Sequence, residues 1–121
     1  MHPDAFEWVK RCVGELGPFD LVVEIGGRDI NGSVRPLFNG CRYVTVDLVD
    51  GPGVDFVGDA VDLARNWVLP VGVDCVVSTE ALEHYPNPQA VVGAAWSLLA
   101  AGGVLIATMA ARSDQAAPTT A

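Results

Sequence analysis

The stretch Asp20-Leu21-Val22-Val23-Glu24-Ile25-Gly26-Gly27 decides how this chain is read. Its apolar residues do not alternate with polar ones, so a strand here is covered on both faces, as in a parallel sheet packed between helices. The two glycines that follow let the backbone turn sharply at the strand end. Working outward, short apolar runs of the same kind recur at residues 42–46, 54–57, 73–77 and 104–108. Helical spacing fills the gaps between them. Phe6, Val9, Cys12, Val13 and Leu16 share one face of a helix over residues 3–16, which Gly17-Pro18 stops. Residues 60–67 read as a short helix. Residues 89–100 carry Val91, Val92, Ala95, Trp96 and Leu99 on one face, with Gly102-Gly103 as the cap. Residues 33–38 and 78–85 read as a loop or a single helical turn. Strands alternating with helices predict one α/β domain, with its chemistry beyond the carboxyl ends of the strands, after Ile25, Val46, Val57 and Val77.

Composition narrows the function classes. The chain has 121 residues, of which 50% are hydrophobic and 18% charged, enough for one domain with a real core and too apolar for a disordered polymer. No apolar run reaches the length of a membrane-spanning helix. Asp4 and Glu7 stand where a secretory leader needs a basic and then an apolar segment. A net charge of -8 argues against binding nucleic acid through its phosphates, which takes lysine and arginine. Cys12, Cys41 and Cys75 are odd in number, far apart and without CxxC spacing, so they are expected to be reduced core residues of a cytoplasmic protein. Residues 113–121 hold no large apolar side chain and are expected to form a disordered tail to a domain spanning residues 1–112.

Three features gather at the predicted ligand edge. Gly26 and Gly27 permit close approach of backbone to a ligand, or simply make a turn. Asp47 ends the second strand 21 positions after Gly26, a spacing at which a carboxylate accepts hydrogen bonds from both hydroxyls of a ribose, or opens a solvated loop. Asp59 follows the third strand, where it faces the exocyclic amine of an adenine or caps the next helix. Each signal alone is modest, and all three fall on one edge in the expected order.

With these residues in view, the chain resembles the class I S-adenosylmethionine-dependent methyltransferases over roughly residues 20 to 110. The matching stretches are Val23-Glu-Ile-Gly-Gly27, Tyr43-Val-Thr-Val-Asp47, Phe56-Val-Gly-Asp-Ala60, Asp74-Cys-Val-Val-Ser-Thr-Glu-Ala-Leu-Glu-His84 and Ser97-Leu-Leu-Ala-Ala-Gly-Gly-Val-Leu-Ile106. The resemblance implies a Rossmann-like parallel sheet in the order 3-2-1-4-5 with helices on both faces. It implies S-adenosylmethionine as cofactor, S-adenosylhomocysteine as product, and a small-molecule or sugar-type hydroxyl or amine as acceptor. It places Glu24, Gly26, Gly27 and Arg28 at the methionine end of the cofactor, Asp47 on the ribose, Leu48 beside the adenine, and Asp59 with Ala60 on the adenine edge. Thr79 and Glu80 would face the reacting methyl group, with His84 as a candidate general base.

The sequence also departs from that family's pattern. Arg28 occupies the second position of the usual Gly-x-Gly-x-Gly run, and the next glycine is Gly32. About a dozen residues follow Thr108, so the antiparallel strand pair that normally ends the sheet is expected to be absent. The fifth strand is then an exposed edge through which two copies of the chain could pair. Glu80, Glu83 and His84 resemble the metal-binding segment of small-RNA 2′-O-methyltransferases, although a plain structural pair is the commoner use and no metal site is assigned. Arg28, Arg35 and Arg42 stand either for anion contacts or for surface ion pairs. Two rivals remain. A nicotinamide-dependent oxidoreductase needs Gly-x-Gly-x-x-Gly, which Arg28 and Asn31 break. A non-catalytic cofactor-binding or interaction remnant of a methyltransferase is the other.

Overall fold

The computed structural model describes residues 3–26, 32–67, 72–109 and 119–120. Helix α1 (Pro3–Leu16) opens the chain with Pro3 and Asp4 in its first turn, where the missing amide and the negative charge are both favourable. It buries Ala5, Val9 and Cys12 along one stripe. Strand β1 (Leu21–Ile25) is buried at every position, as an unalternating apolar run requires. Strand β2 (Arg42–Asp47) and the short β3 (Phe56–Val57) follow, then helix α2 (Ala60–Arg65), strand β4 (Val73–Thr79), helix α3 (Pro88–Leu98) and strand β5 (Leu99–Thr108). Single 3-10 turns occupy Arg35–Leu37 and Leu82–His84.

The five strands pair in parallel in the order β3-β2-β1-β4-β5, as the resemblance implied. Alternate residues of each strand point to opposite faces and so divide the core in two. Leu21, Val23, Ile25, Val46 and Val76 pack with Leu63 of α2 and with Val91, Ala95 and Leu98 of α3. Val22, Cys75, Val77 and Ile106 pack on the other side with Val9 and Cys12 of α1, Phe19, Val34 and Phe38. Each such fully buried Val, Leu or Ile contributes about 1.5–3 kcal/mol relative to leaving it in water. The result is a sheet between helical layers whose strand ends all open on the same edge.

Three expectations are corrected. Gly102 and Gly103 do not cap α3; the chain passes straight from Leu98 into β5, and both glycines lie inside that strand. The reason is an irregularity against β4: Leu99 pairs with Val73 and Val104 with Cys75, so β5 spends four residues where its partner spends one. Gly102, at φ 82°, supplies the left-handed residue that this bulge needs. The outer side of β5 is also not bare. Strand β6 (Thr119–Thr120), within the segment expected to be a disordered tail, pairs antiparallel with Val104 and Leu105. Helix α2, finally, ends at Arg65 rather than at Trp67. Among the described residues, no helix is long and apolar enough to cross a membrane.

Candidate functional site at the carboxyl edge of the sheet

The edge is built from four strand ends. At the end of β1, Gly26 takes φ 77°, and its amide donates to the carbonyl of Val46 at 2.7 Å, holding the turn against β2. A Cβ on Gly26 would lie 2.4 Å from the Cβ of Ala81, so this position is closed to any side chain. The turn after β1 thereby rests directly on the turn after β4. Gly27 and Arg28 lie outside the described residues.

Glu24, one strand position back, is buried, and its carboxylate accepts from the hydroxyl of Tyr43 at 2.7 Å. Burial and the neighbouring carboxylate push the Tyr43 phenol far above its ordinary range, so it remains a donor. Arg35 stands over the Tyr43 ring, 5.0 Å from its centre, a cation–π contact. Arg35 is therefore engaged with the protein's own aromatic side chain.

Asp47 ends β2 half-buried, with Oδ1 accepting from the amide of Val49 at 3.1 Å and its carbonyl from the amide of Gly58 at 2.8 Å. The chain beyond it is apolar and unusually open: Leu48 is 46% exposed, Val49 52%, and Val57 at the end of β3 53%. Four of the five large hydrophobic side chains exposed among the described residues sit on this edge, Met109 after β5 being the fourth. Apolar surface gathered around an acidic residue suits a flat, apolar ring carrying polar hydroxyls.

Asp59 does cap α2. Its Oδ1 accepts from the amide of Asp62 at 2.9 Å, and Oδ2 of Asp62 accepts from the amide of Asp59 at 3.1 Å, a reciprocal capping box. The capping reading of Asp59 is thus the one observed, and it fixes the carboxyl group at the edge next to β3. The side chain of Ala60 is fully buried, so any contact it offers a ligand is through its backbone.

At the end of β4, Thr79 is half-buried beside Thr108. Glu80 has φ 54°, the one described residue other than glycine with a positive φ. Its amide donates to the carbonyl of Thr108 at 2.9 Å and to its hydroxyl at 3.2 Å, tying the turn to β5. Strain of this kind at a strand end is a mark of functional turns. His84 projects into solvent with 76% of its side chain exposed, and its Nε2 lies 3.5 Å from Oε1 of Glu83. Both Glu83 oxygens are buried without a hydrogen bond. Among the described residues, no group of three or more His, Cys, Asp or Glu is arranged to hold a metal.

Sequence reasoning missed Tyr85. Its ring is buried in the cluster that contains Ile25, Val46, Ala60 and Ala81, each adjacent to a residue of this edge or packed on one. Burial, then the charges of Asp47 and Asp59, push its phenol up to about 12. Nothing local in the sequence could have signalled this, because the three residues lie on separate elements that only the order of the strands brings to one side of the sheet.

A cavity of about 270 Å³ lies elsewhere, lined by residues such as Gly14, Phe19, Leu37, Phe38 and Cys41. These precede β1 and β2, so the cavity opens at the amino edge of the sheet. Its one ionisable group, the Cys41 thiol, is pushed up by burial and by the charge of Asp74. The chemistry-bearing groups are on the opposite edge, and that edge is the candidate site.

No protein-family model matches the chain, and no curated protein matches it. Among solved structures, it is similar to a putative methyltransferase from Bacillus halodurans C-125, at 25% identity and a TM-score of 0.52. The match covers 88% of this chain and 46% of that one, so the chain spans less than half the length of its structural relative. With the parallel order β3-β2-β1-β4-β5, this likeness gives the chain a class I methyltransferase-like, Rossmann-like fold.

Proposed function

We propose that the chain is an S-adenosylmethionine-dependent methyltransferase acting on a small-molecule or sugar-type hydroxyl or amine. The observation that carries this reading is the meeting, on one strand edge, of Asp47, the exposed Leu48, Val49 and Val57, and the closed Gly26 turn. The donor set suits the adenosine half of the cofactor. An ionised carboxylate only accepts, which matches the ribose hydroxyls at Asp47 and the exocyclic amine at Asp59. Leu48 supplies an apolar flank for the base. Glu24, Gly27 and Arg28 are assigned the methionine half.

When bound, the cofactor supplies a methyl group on a positively charged sulfur, electrophilic enough to need no metal or covalent help from the protein. An acceptor that took the methyl group would give up its proton, which the protein or water would have to receive. Holding donor and acceptor in line is the protein's main contribution, through Thr79 and Glu80 at the end of β4. His84, which borders solvent beside Glu83, is assigned the role of taking that proton or passing it to water. The three free thiols accord with action in the cytoplasm.

Calorimetric titration with S-adenosylhomocysteine tests the reading, with NAD as control. Saturable binding of the first ligand alone is expected. Asp47→Ala should weaken it about 10- to 100-fold, the loss of hydrogen bonds to a charged acceptor. Failure of a folded chain to bind would sink the proposal. The second reading is a chain that binds cofactor without turnover. Binding without methylation of any acceptor in a broad panel would support it.

A further inference from the structure

Glu80 stands where the backbone suits it least. Its φ is 54°, and every other described residue with a positive φ is a glycine. The left-handed conformation crowds Cβ against the following carbonyl, a cost that glutamate bears and glycine escapes. The fold gains nothing from the side chain in return. The Glu80 carboxylate makes no hydrogen bond or ion pair among the described residues, and the residue is half-buried at the strand end. Strain retained at a side chain that the fold does not use points to a use outside the fold.

The strain persists because β5 holds it. The amide of Glu80 donates both to the carbonyl of Thr108, at 2.9 Å, and to its hydroxyl, at 3.2 Å. The carbonyl bond continues the pairing of Thr79 with Thr108 and is open to any residue at position 108. The hydroxyl is what threonine adds. Thr108 is only 1% exposed, so water does not compete for its hydroxyl, and its β-branched side chain has few rotamers to choose from. The two acceptors together fix the direction in which the chain leaves β4, and with it the root of the Glu80 side chain.

We propose that Thr108 is a positioning residue whose hydroxyl keeps Glu80 in the left-handed turn, and so keeps the Glu80 carboxylate beside the sulfur of the cofactor. The inference rests on the proposed cofactor reading, which assigns Glu80 to the reacting methyl group, and extends that site to β5. The sulfur of S-adenosylmethionine is positively charged, whereas that of S-adenosylhomocysteine is neutral. A carboxylate held close to the sulfur favours the first ligand over the second, and one free to swing away does not. Thr108 thereby acts on the discrimination between cofactor and product without touching either.

The test compares the affinities of wild type, Thr108→Val, Thr108→Ser and Glu80→Gln for S-adenosylmethionine and S-adenosylhomocysteine. The preference for the charged ligand should fall about 2- to 5-fold in Glu80→Gln, the size of one exposed charge pair. It should fall as far in Thr108→Val, stay at the wild-type value in Thr108→Ser, and fall no further when Thr108→Val is added to Glu80→Gln. A merely structural hydroxyl would weaken both ligands alike and leave the preference intact, which overturns the inference. So does a Thr108→Val chain that fails to fold. The strain itself is read without ligand. Asparagine tolerates the left-handed region better than alanine, so Glu80→Asn should melt about 2–5 °C above Glu80→Ala. Equal melting would leave no strain for Thr108 to hold, and the inference falls. Wild-type binding with a preference that no variant changes overturns this inference alone. Absence of wild-type binding to either ligand overturns the cofactor reading and this inference with it.

Discussion

At the amino edge of the sheet, Asp74 accepts from the amides of Asp20 at 2.7 Å and Leu21 at 2.9 Å, partners 54 and 53 positions away. At the carboxyl edge, Asp47 accepts from Val49 and Asp59 from Asp62, two and three positions on. The chemistry of these contacts is the same, carboxylate to backbone amide, but their reach differs. A bond across half the chain forms only when β1 and β4 are already side by side, so all of its strength favours the folded state. A bond across two or three residues forms within a turn whatever the rest of the chain does, and it adds little to global stability. Such bonds instead fix each carboxylate within its own turn at the strand end. The amino edge thus uses aspartate to hold strands together, and the carboxyl edge uses it to present charge.

The carboxyl edge also bears on stability, most sharply at the contact between Gly26 and Ala81. Gly26→Ala places a Cβ 2.4 Å from that of Ala81 at φ 77°. The left-handed backbone costs about 1–2 kcal/mol and the overpacking about 1–3 kcal/mol. Urea denaturation should therefore show a loss of about 3–4 kcal/mol, the largest effect expected here. Adding Ala81→Gly should recover the overpacking share and leave the backbone share. If the double variant recovers nothing, the two turns do not rest on each other.

Asp74→Ala probes the opposite edge directly. It removes the acceptor of two amides, one of them on the buried Leu21. A loss of about 2–3 kcal/mol is expected, with affinity for S-adenosylhomocysteine unchanged in the fraction that remains folded. Asp47→Ala should do the reverse, weakening binding while altering stability by under about 0.5 kcal/mol. Equal effects of the two substitutions on stability would erase the distinction between the edges.

The same contrast of reach explains what the sequence disclosed. Strands β1 and β4 were legible because their covering on both faces is written as an uninterrupted apolar run. The places of Asp47 and Asp59 at the strand ends were legible because each follows its strand at a recognisable spacing, and of the two uses weighed for Asp59 the helix cap is the one observed. Tyr85 was not, since its partners are brought to it by strand order. Gly102-Gly103 misled because two glycines after a helical stretch look like a cap, and only the register of β5 against β4 shows that they sit in a bulge. The pairing of Thr119–Thr120 was invisible for a simpler reason: two residues give no period to read.

A smaller effect should appear in alkali and should again belong to the core beside Asp74. Burial, the charge of Asp74 next in sequence, and the neighbouring Cys41 and Cys12 push the Cys75 thiol well above its ordinary 9.0. An unfolded chain releases that proton near the ordinary value, whereas the folded chain keeps it, so the unfolded state binds fewer protons once the pH passes about 9. Stability from this group is complete below that pH and falls as the pH rises toward the folded-state value, by about 1.4 kcal/mol per unit. Cys12 and Cys41 are raised in the same direction and add to the slope. Denaturation midpoints should accordingly be flat to about pH 8 and decline above 9. In Cys75→Ala the decline should be shallower by about 1 kcal/mol at pH 10, whatever constant loss the substitution itself brings. A decline of unchanged steepness would mean that the thiol titrates alike in both states, and that the strands beside Asp74 are less tightly closed than the geometry of their hydrogen bonds requires.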